Sequence, residues 1–314
     1  MRIIFMGTPG FALSTLEAIH QKGHEVLAVF TQPDRPAGRG RSIVFSPVKQ
    51  KALELGLLVQ QPGNLKQDQI IQAVSSLAPE ALVVVAYGLK LPSDILNIPK
   101  YGAVNLHPSM LPRYRGAAPI NHALINGDKA TGVSTILMND RMDAGDIILQ
   151  QEVPITDDEN AGMLEARLAK LGADLISSSL DILKTGKAEF KKQDESLVTY
   201  APKLSSADGH IDWKRKSIEI QNQIRGLTPR PGSFALFKGK RLEILNILTN
   251  CKLKIENYEL LPGQVVATDK NSGLAVKTLD GSVILTELKP QGKNAMSGDE
   301  FIRGYKPLVG EKLS

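Results

Sequence analysis

Short apolar runs alternate with amphipathic stretches along the first 150 residues of the chain. Five apolar runs predict strands, at residues 2–6, 25–30, 81–86, 102–106 and 132–138, with helices between them. The run at residues 82–86 lacks strict alternation, as expected for a strand that is covered on both faces. This order of strands and helices predicts an α/β fold with an open, doubly wound, mostly parallel sheet.

A long amphipathic segment follows at residues 161–184. Leu164, Leu168 and Leu175 share one face, Asn160 is a candidate N-cap, and Gly186 lies just beyond the end, so the segment predicts a helix. Residues 187–207 are polar and lack periodicity, which favours a linker. We therefore predict a first domain at residues 1–186, a linker at 187–207 and a second domain at 208–314.

The second domain has a different pattern, with one predicted helix and several short strands punctuated by glycine and proline. The helix is predicted at residues 216–225 and the strands at 233–237, 241–248, 263–268, 273–278 and 282–288. Short strands at close spacing favour a small β-barrel. An OB-like barrel is one candidate, and such a barrel would suit nucleic acid.

Composition adds a charge asymmetry to this picture. The chain has 314 residues, of which 42% are hydrophobic and 23% charged, as in an ordinary globular protein of two domains. Residues 1–205 hold 21 basic and 21 acidic side chains, whereas residues 206–314 hold 17 and 12, so the whole net charge of +5 lies in the last third. This excess favours a polyanionic partner, although lysine also serves as a solubilising surface residue.

Cysteine content and hydropathy favour a cytoplasmic protein. Cys251 is the single cysteine, so an internal disulfide cannot form, and no cysteine and histidine cluster has metal-ligand spacing. We therefore predict no metal. The apolar runs are too short for a signal peptide or a membrane span, and we predict a cytoplasmic monomer without a membrane anchor.

The candidate chemistry lies at two strand ends. Asn105 and His107 are two residues apart at the carboxyl end of a predicted central strand, where open α/β sheets bind their ligands, and Asp143 follows a later strand. An amide, an imidazole and a carboxylate that converge could move an acyl group between two nitrogens. The amide and the imidazole would donate to the oxygen that gains charge, and the carboxylate would help to shuttle the proton.

The motifs around these residues resemble a known family. Residues 105–119, Thr131-Gly-Val133 and Met142-Asp-Ala-Gly-Asp146 are similar to the formyltransferases that use 10-formyltetrahydrofolate, and the similarity extends over essentially the full length. It implies a Rossmann-like catalytic domain in which Asn105, His107 and Asp143 are catalytic. It also implies folate binding by Ser109, Met110, Leu111, Pro112, Tyr87, Gly88 and Asp140. Met110 stands where the family usually has leucine, and Gly10 where it more often has aspartate.

An arginine-rich loop points to the acceptor of the formyl group. Residues 30–41, followed by Ser46-Pro-Val-Lys49, resemble the members of this family that act on methionyl-tRNA. The resemblance implies that Arg35, Arg39 and Arg41 contact tRNA, with Arg39 at the acceptor end. Arginine suits phosphate and exposed bases through its planar guanidinium, although a mobile, solvated loop has the same composition. The implied partners are methionyl-initiator tRNA and folate.

Three other functions remain open from the sequence. A formyltransferase that acts on a small amine, such as a nucleotide sugar or a purine precursor, would have the same three catalytic residues but would need neither the arginine loop nor a basic second domain. A catalytically silent RNA-binding protein would not need the three residues. A dinucleotide-dependent oxidoreductase is disfavoured because the first turn, Gly7-Thr-Pro-Gly10, lacks the G-x-G-x-x-G pattern.

Overall fold

The computed structural model describes residues 1–37, 42–249, 260–269 and 273–314. These residues form two compact units. The first unit comprises Met1–Pro119, Ala130–Pro154 and Glu165–Ala201, and the second comprises Ile120–Lys129, Ile155–Leu164 and Pro202–Ser314.

Strands and helices alternate in the amino-terminal half of the chain. In order they are β1 (Arg2–Gly7), α1 (Leu13–Gln21), β2 (Glu25–Phe30), β3 (Arg35–Ala37), β4 (Ser42–Val44), α2 (Pro47–Glu54), β5 (Val59–Gln60), α3 (Asp68–Ser76), β6 (Ala81–Val85), α4 (Ser93–Leu96), β7 (Ala103–His107), β8 (Arg115–Gly116), α5 (Pro119–Ile125), β9 (Ala130–Leu137) and β10 (Asp146–Pro154).

The carboxyl-terminal half begins with a long helix and is then mostly strands. In order the elements are α6 (Ala161–Thr185), β11 (Tyr200–Ala201), α7 (Ser217–Leu227), β12 (Ser233–Phe237), β13 (Lys240–Leu248), β14 (Val265–Asp269), β15 (Gly273–Lys277), β16 (Ser282–Pro290), β17 (Met296–Ser297) and α8 (Gly298–Tyr305). Short 3-10 helices lie at Gly10–Ala12, Glu195–Leu197 and Ser206–Gly209.

The first unit is built on a seven-stranded sheet in the order β10-β9-β7-β6-β1-β2-β5. The pairs β1–β2, β1–β6, β6–β7 and β2–β5 are parallel, which confirms the predicted mostly parallel sheet. β9 runs antiparallel to β7 and β10 antiparallel to β9, so the sheet is mixed at one edge. The hydrophobic pattern did not predict β10, because this edge strand carries polar side chains such as Gln150, Gln151 and Glu152.

Helix α6 packs on the strands that carry the candidate chemistry. The side chain of Asn160 accepts a hydrogen bond from the backbone N–H of Met163 at 3.0 Å, which confirms the predicted N-cap. A Cβ atom added to Gly172 would lie 2.4 Å from a methyl carbon of Leu106 on β7, so glycine permits this close packing. No described helix is long and apolar enough to cross a membrane.

The second unit contains an antiparallel sheet in the order β12-β13-β16-β15-β14, with β17 paired to β16. Close to the carboxyl end of the chain, Leu313 pairs with Phe237 of β12 and Lys312 with Gln264, so this segment connects the two outer strands of the sheet. Trp213, Ile244 and Phe301 belong to the buried core. The predicted small β domain is confirmed, and its assignment as an OB-like barrel stays a prediction.

Residues 187–207 contain local structure between the two predicted domains. β11 pairs in parallel with β8, Tyr200 opposite Arg115 and Ala201 opposite Gly116. The Ser205 side chain caps the 3-10 helix at Ser206–Gly209. The predicted boundaries, 1–186, 187–207 and 208–314, stay a prediction.

Candidate active site

Two of the three predicted catalytic residues lie at the carboxyl end of β7. Asn105 is opposite Val84 on β6 and Ile136 on β9, and His107 is opposite Ser134 on β9. His107 is buried, whereas Asn105 is half-buried. The side-chain amide of Asn105 makes no hydrogen bond with any described residue, so its two N–H donors are available to a ligand.

Asp143 lies in the turn between β9 and β10, and the fold brings it to His107. Its Oδ2 atom is 3.7 Å from Nδ1 of His107, and the two side chains are 13% and 5% exposed. The other ring nitrogen, Nε2, is 2.9 Å from the carbonyl oxygen of Tyr114. The structure thus joins two residues that are 36 positions apart in the sequence.

This geometry determines which nitrogen of His107 can accept a proton. A carbonyl oxygen can only accept, so Nε2 carries the proton that it donates to Tyr114. In the neutral imidazole, Nδ1 then has a free lone pair that faces Asp143. A proton taken up at Nδ1 would give an imidazolium next to a carboxylate, which is a favourable arrangement for proton transfer.

The turn that carries Asp143 is held by residues that the sequence did not single out. The backbone N–H of Gly116 donates to Oδ2 of Asp143 at 2.8 Å. The side chain of Gln193 donates to the carbonyl oxygens of Asp143 and Gly145, and Arg115 donates to Gln193. Arg115 and Gly116 are within the family motif at residues 105–119, but Gln193 lies in a polar segment without periodicity, where no sequence signal marks it.

The predicted folate-binding segment from Ser109 to Pro112 follows β7. The Ser109 hydroxyl donates to the carbonyl oxygen of Arg113, and Leu111 is buried with Ile136 and Ile147. Met110 and Pro112 are half-buried. The side chains of Ser109 and Leu111 are thus engaged within the protein, so these two residues would contact a ligand chiefly through their backbone.

The other predicted folate residues lie at two further strand ends. Tyr87 and Gly88 follow β6, where the carbonyl oxygen of Tyr87 accepts hydrogen bonds from Thr8 and Gln32. Burial raises the pKa of Tyr87 to about 12. Asp140 is exposed in the turn after β9. β6 and β7 are parallel neighbours, so the segments that follow them leave the sheet at the same edge. β9 runs antiparallel to β7, and the contact between Asp143 and His107 brings the turn after β9 to this edge.

The arginine-rich loop is held at its base by a polar network. β3 pairs with β4, and Arg35 is exposed on β3, whereas Arg39 and Arg41 lie outside the described residues. The Lys49 ammonium donates to Asp34, which precedes β3, and to Gln61 at 2.8 Å, and it lies 3.8 Å from the centroid of the Phe45 ring, which follows β4. The hydrogen bond from Lys49 lowers the pKa of Asp34.

A basic cleft opens on the second unit. Its lining residues are Phe237, Lys238, Lys240, Arg241, Leu242, Pro290, Gln291, Lys293, Phe301 and Tyr305. Lys238 pairs with Glu311 at 3.1 Å and Arg241 with Glu243 at 3.8 Å. In the described part of the chain, Lys240 and Lys293 form no ion pair. The cleft therefore carries two uncompensated positive charges.

Two family profiles match the chain, one for each domain. Residues 1–180 match the profile described as formyl transferase, and residues 203–306 match the profile described as formyl transferase, C-terminal domain. The segment between them, residues 181–202, contains Gln193 and β11.

Curated relatives extend over the whole chain. Methionyl-tRNA formyltransferase of Dictyoglomus turgidum is 45% identical over 314 residues, which is 100% of this chain and 99% of the relative. The protein of the same name from Fusobacterium nucleatum is 44% identical and is matched over the full length of both chains. Among solved structures, HypX from Aquifex aeolicus in complex with tetrahydrofolic acid has a TM-score of 0.67 at 17% identity, and the match covers 99% of this chain and 48% of that one.

Proposed function

Because the chain belongs to the formyl transferase family, and within it to the methionyl-tRNA formyltransferases, we propose that it transfers the formyl group of 10-formyltetrahydrofolate to methionyl-initiator tRNA. The acceptor is the free α-amino group of the esterified methionine, and the product is the N-formylmethionyl-tRNA used in translation initiation. The observation that carries the proposal is the His107–Asp143 pair, together with the Asn105 amide, which has no partner among the described residues. These residues occur in a chain that is similar to methionyl-tRNA formyltransferases over its full length.

The proposed chemistry exchanges one carbon–nitrogen bond for another. The α-amine attacks the formyl carbon, the bond to N10 of the folate breaks, the attacking nitrogen loses a proton and N10 gains one. Asn105 stabilises the negative charge that develops on the formyl oxygen through its amide N–H groups. Nδ1 of His107 takes the proton and returns it to N10, and Asp143 stabilises the imidazolium in between.

We place the folate at the carboxyl ends of β6 and β7, beside the turn that follows β9. The backbone of the segment Ser109, Met110, Leu111 and Pro112, together with Tyr87, Gly88 and Asp140, would bind the donor. The parallel pairing of β6 and β7 supports the first two segments, because their carboxyl ends lie at one edge of the sheet. The contact between Asp143 and His107 supports the third, because it brings the turn that contains Asp140 towards the end of β7.

We propose two tRNA contacts, one on each unit. The first is the loop that contains Arg35, Arg39 and Arg41, which would contact the acceptor end. The second is the basic cleft, where Lys240 and Lys293 would bind backbone phosphates. A tRNA substrate also implies a cytoplasmic location, where translation takes place, and the monomeric state stays a prediction.

The alternative is formyl transfer to a small amine, such as a nucleotide sugar or a purine precursor. Such an acceptor requires neither the arginine loop nor the basic cleft. An Arg39→Ala variant distinguishes the two functions, because it should slow formylation of tRNA strongly if the loop binds the acceptor end. An unchanged rate would favour the small acceptor.

The acceptor assay tests the proposed function directly. Purified protein, 10-formyltetrahydrofolate and radiolabelled methionyl-tRNA are mixed, with initiator and elongator tRNA in parallel reactions and an amino-sugar nucleotide in a third. We expect rapid formylation of the charged initiator tRNA and little of the other two. Absence of formylation on the initiator tRNA would refute the proposal.

A further inference from the structure

The side-chain amide of Gln193 forms four hydrogen bonds directly behind the turn that carries Asp143. Its Nε2 donates to the carbonyl oxygens of Asp143 at 2.7 Å and Gly145 at 2.8 Å. Its Oε1 accepts from Nε and a terminal nitrogen of Arg115, at 3.0 and 2.8 Å. Because two acceptors lie on one side and two donors on the other, only one orientation of the amide satisfies all four.

The turn has an uncommon backbone conformation at Asp143. Asp143 has φ of +50°, in the left-handed region that L-residues other than asparagine and aspartate seldom adopt. Among the described residues, its carboxylate accepts one hydrogen bond, from the N–H of Gly116, and lies 3.7 Å from Nδ1 of His107. The distance between Asp143 and His107 therefore depends on what holds the backbone of the turn.

Arg115 fixes Gln193 in turn. Its side chain is 4% exposed and also donates to both carboxylate oxygens of Glu195, at 3.1 and 3.3 Å. Arg115 and Gly116 form β8, so one short strand contacts Asp143 through Gly116 and Gln193 through Arg115. A Cβ atom at Gly116 would lie 2.6 Å from the carbonyl oxygen of Ala201, so β8 is itself closely packed on β11.

We propose that Gln193 is a positioning residue for the active site: it holds the Asp143 backbone so that the carboxylate faces Nδ1 of His107. The effect that we expect of Gln193 on the rate of formylation rests on the proposed function. It assigns a role at the active site to the segment between the two matched family profiles, which cover residues 1–180 and 203–306.

A Gln193→Met variant tests the proposal, because methionine has similar length and none of the four hydrogen bonds. We expect kcat for formylation to fall about 10- to 100-fold, as for a catalytic group displaced by roughly 1 Å, while KM for folate and for tRNA changes less than about threefold. Gln72→Met, the same substitution at an exposed position on α3, is the matched control and should leave kcat unchanged.

A double-mutant cycle separates positioning from a general loss of structure. If Gln193 acts through Asp143, its substitution should have little further effect on kcat in an Asp143→Asn background. Gln193→Glu retains the shape and the acceptors for Arg115, but it presents a carboxylate to two carbonyl oxygens, so it should be at least as impaired as Gln193→Met. Equal losses of kcat in the two backgrounds, or a loss that only follows the fraction of folded protein, would overturn the role.

A spectroscopic measurement keeps this test independent of the reaction. In protein with 15N-labelled histidine, the ring resonances of His107, assigned with His107→Gln, should shift in Gln193→Met and not in Gln72→Met. If methionyl-tRNA is not formylated but the His107 signal shifts, the proposed function fails and the positioning role stands. An unchanged His107 signal would refute the positioning role itself.

Discussion

The packing of α6 on β7 predicts that Gly172→Ala destabilises the protein, whereas Gly304→Ala on α8 stabilises it. Replacing a glycine within a helix by alanine normally stabilises a protein by about 0.5–1 kcal/mol, because glycine loses more backbone entropy. Gly172 should behave otherwise. An added Cβ would lie 2.4, 2.8 and 3.1 Å from three carbon atoms of Leu106, and carbon atoms in contact normally lie about 3.5–4.0 Å apart.

Overpacking should outweigh the helix preference at Gly172. All three atoms belong to the end of one side chain that is only 2% exposed, so the whole isobutyl group has to move within a packed core. Overpacking of this kind costs roughly 1–3 kcal/mol, which leaves Gly172→Ala destabilised by up to about 2.5 kcal/mol after the helix gain. Leu106 lies between Asn105 and His107 on β7, so we also expect a lower kcat.

Gly304 on α8 is the matched control, because a Cβ atom there has no heavy atom within 4 Å. Gly304→Ala should stabilise the second unit by about 0.5 kcal/mol. Urea unfolding of the wild type and both variants measures the two effects, and differential scanning calorimetry resolves the two units if they unfold separately. A stabilised Gly172→Ala protein with normal kcat would refute the packing argument.

Three further predictions concern groups around the two proposed binding regions. Burial raises the pKa of Tyr87 to about 12, and its hydroxyl has no partner among the described residues. The free energy of unfolding should therefore fall as the pH rises from 10 to 12. Between pH 9 and pH 11, urea unfolding should show a smaller fall in this free energy for Tyr87→Phe than for the wild type. Lys49→Met removes the ammonium that binds Asp34. Steady-state kinetics should therefore show a KM for charged tRNA that is raised about tenfold and a KM for folate that is unchanged. Equal changes in the two KM values would contradict a role of Lys49 at the loop. Lys240→Ala and Lys293→Ala should each weaken tRNA binding in filter-binding titrations. Each should also reduce the slope of the logarithm of the binding constant against the logarithm of the salt concentration by about one, and an unchanged slope would remove that lysine from the interface.

The sequence predicted the strands of the proposed active site because hydrophobic runs mark buried parallel strands well. Asn105 and His107 were placed at the end of a central strand by their position alone, and the structure brings Asp143 to His107 as the motif implied. β10 was missed because its outward side chains are polar, and the helix α8 was missed because only eight residues form it.

The support around Asp143 could not be predicted in the same way. Gln193 contributes through hydrogen bonds to backbone carbonyls that are about 50 residues away in sequence, and no periodicity marks such contacts. Arg115 was visible inside a motif, but its hydrogen bonds to Gln193 join residues that are 78 positions apart in the sequence. The roles of Arg39 and Arg41 stay predictions, because both lie outside the described residues.

The measurement that tests the central claim most directly is single-turnover formylation by the three active-site variants, Asn105→Ala, His107→Ala and Asp143→Ala. Preformed complexes of enzyme and charged initiator tRNA are mixed with 10-formyltetrahydrofolate, and tRNA binding is measured separately for each variant. We expect each variant to bind charged tRNA like the wild type and to lose formyl transfer by at least about 100-fold. A variant that transfers formyl at the wild-type rate would contradict the account, since that residue would then have no part in the chemistry.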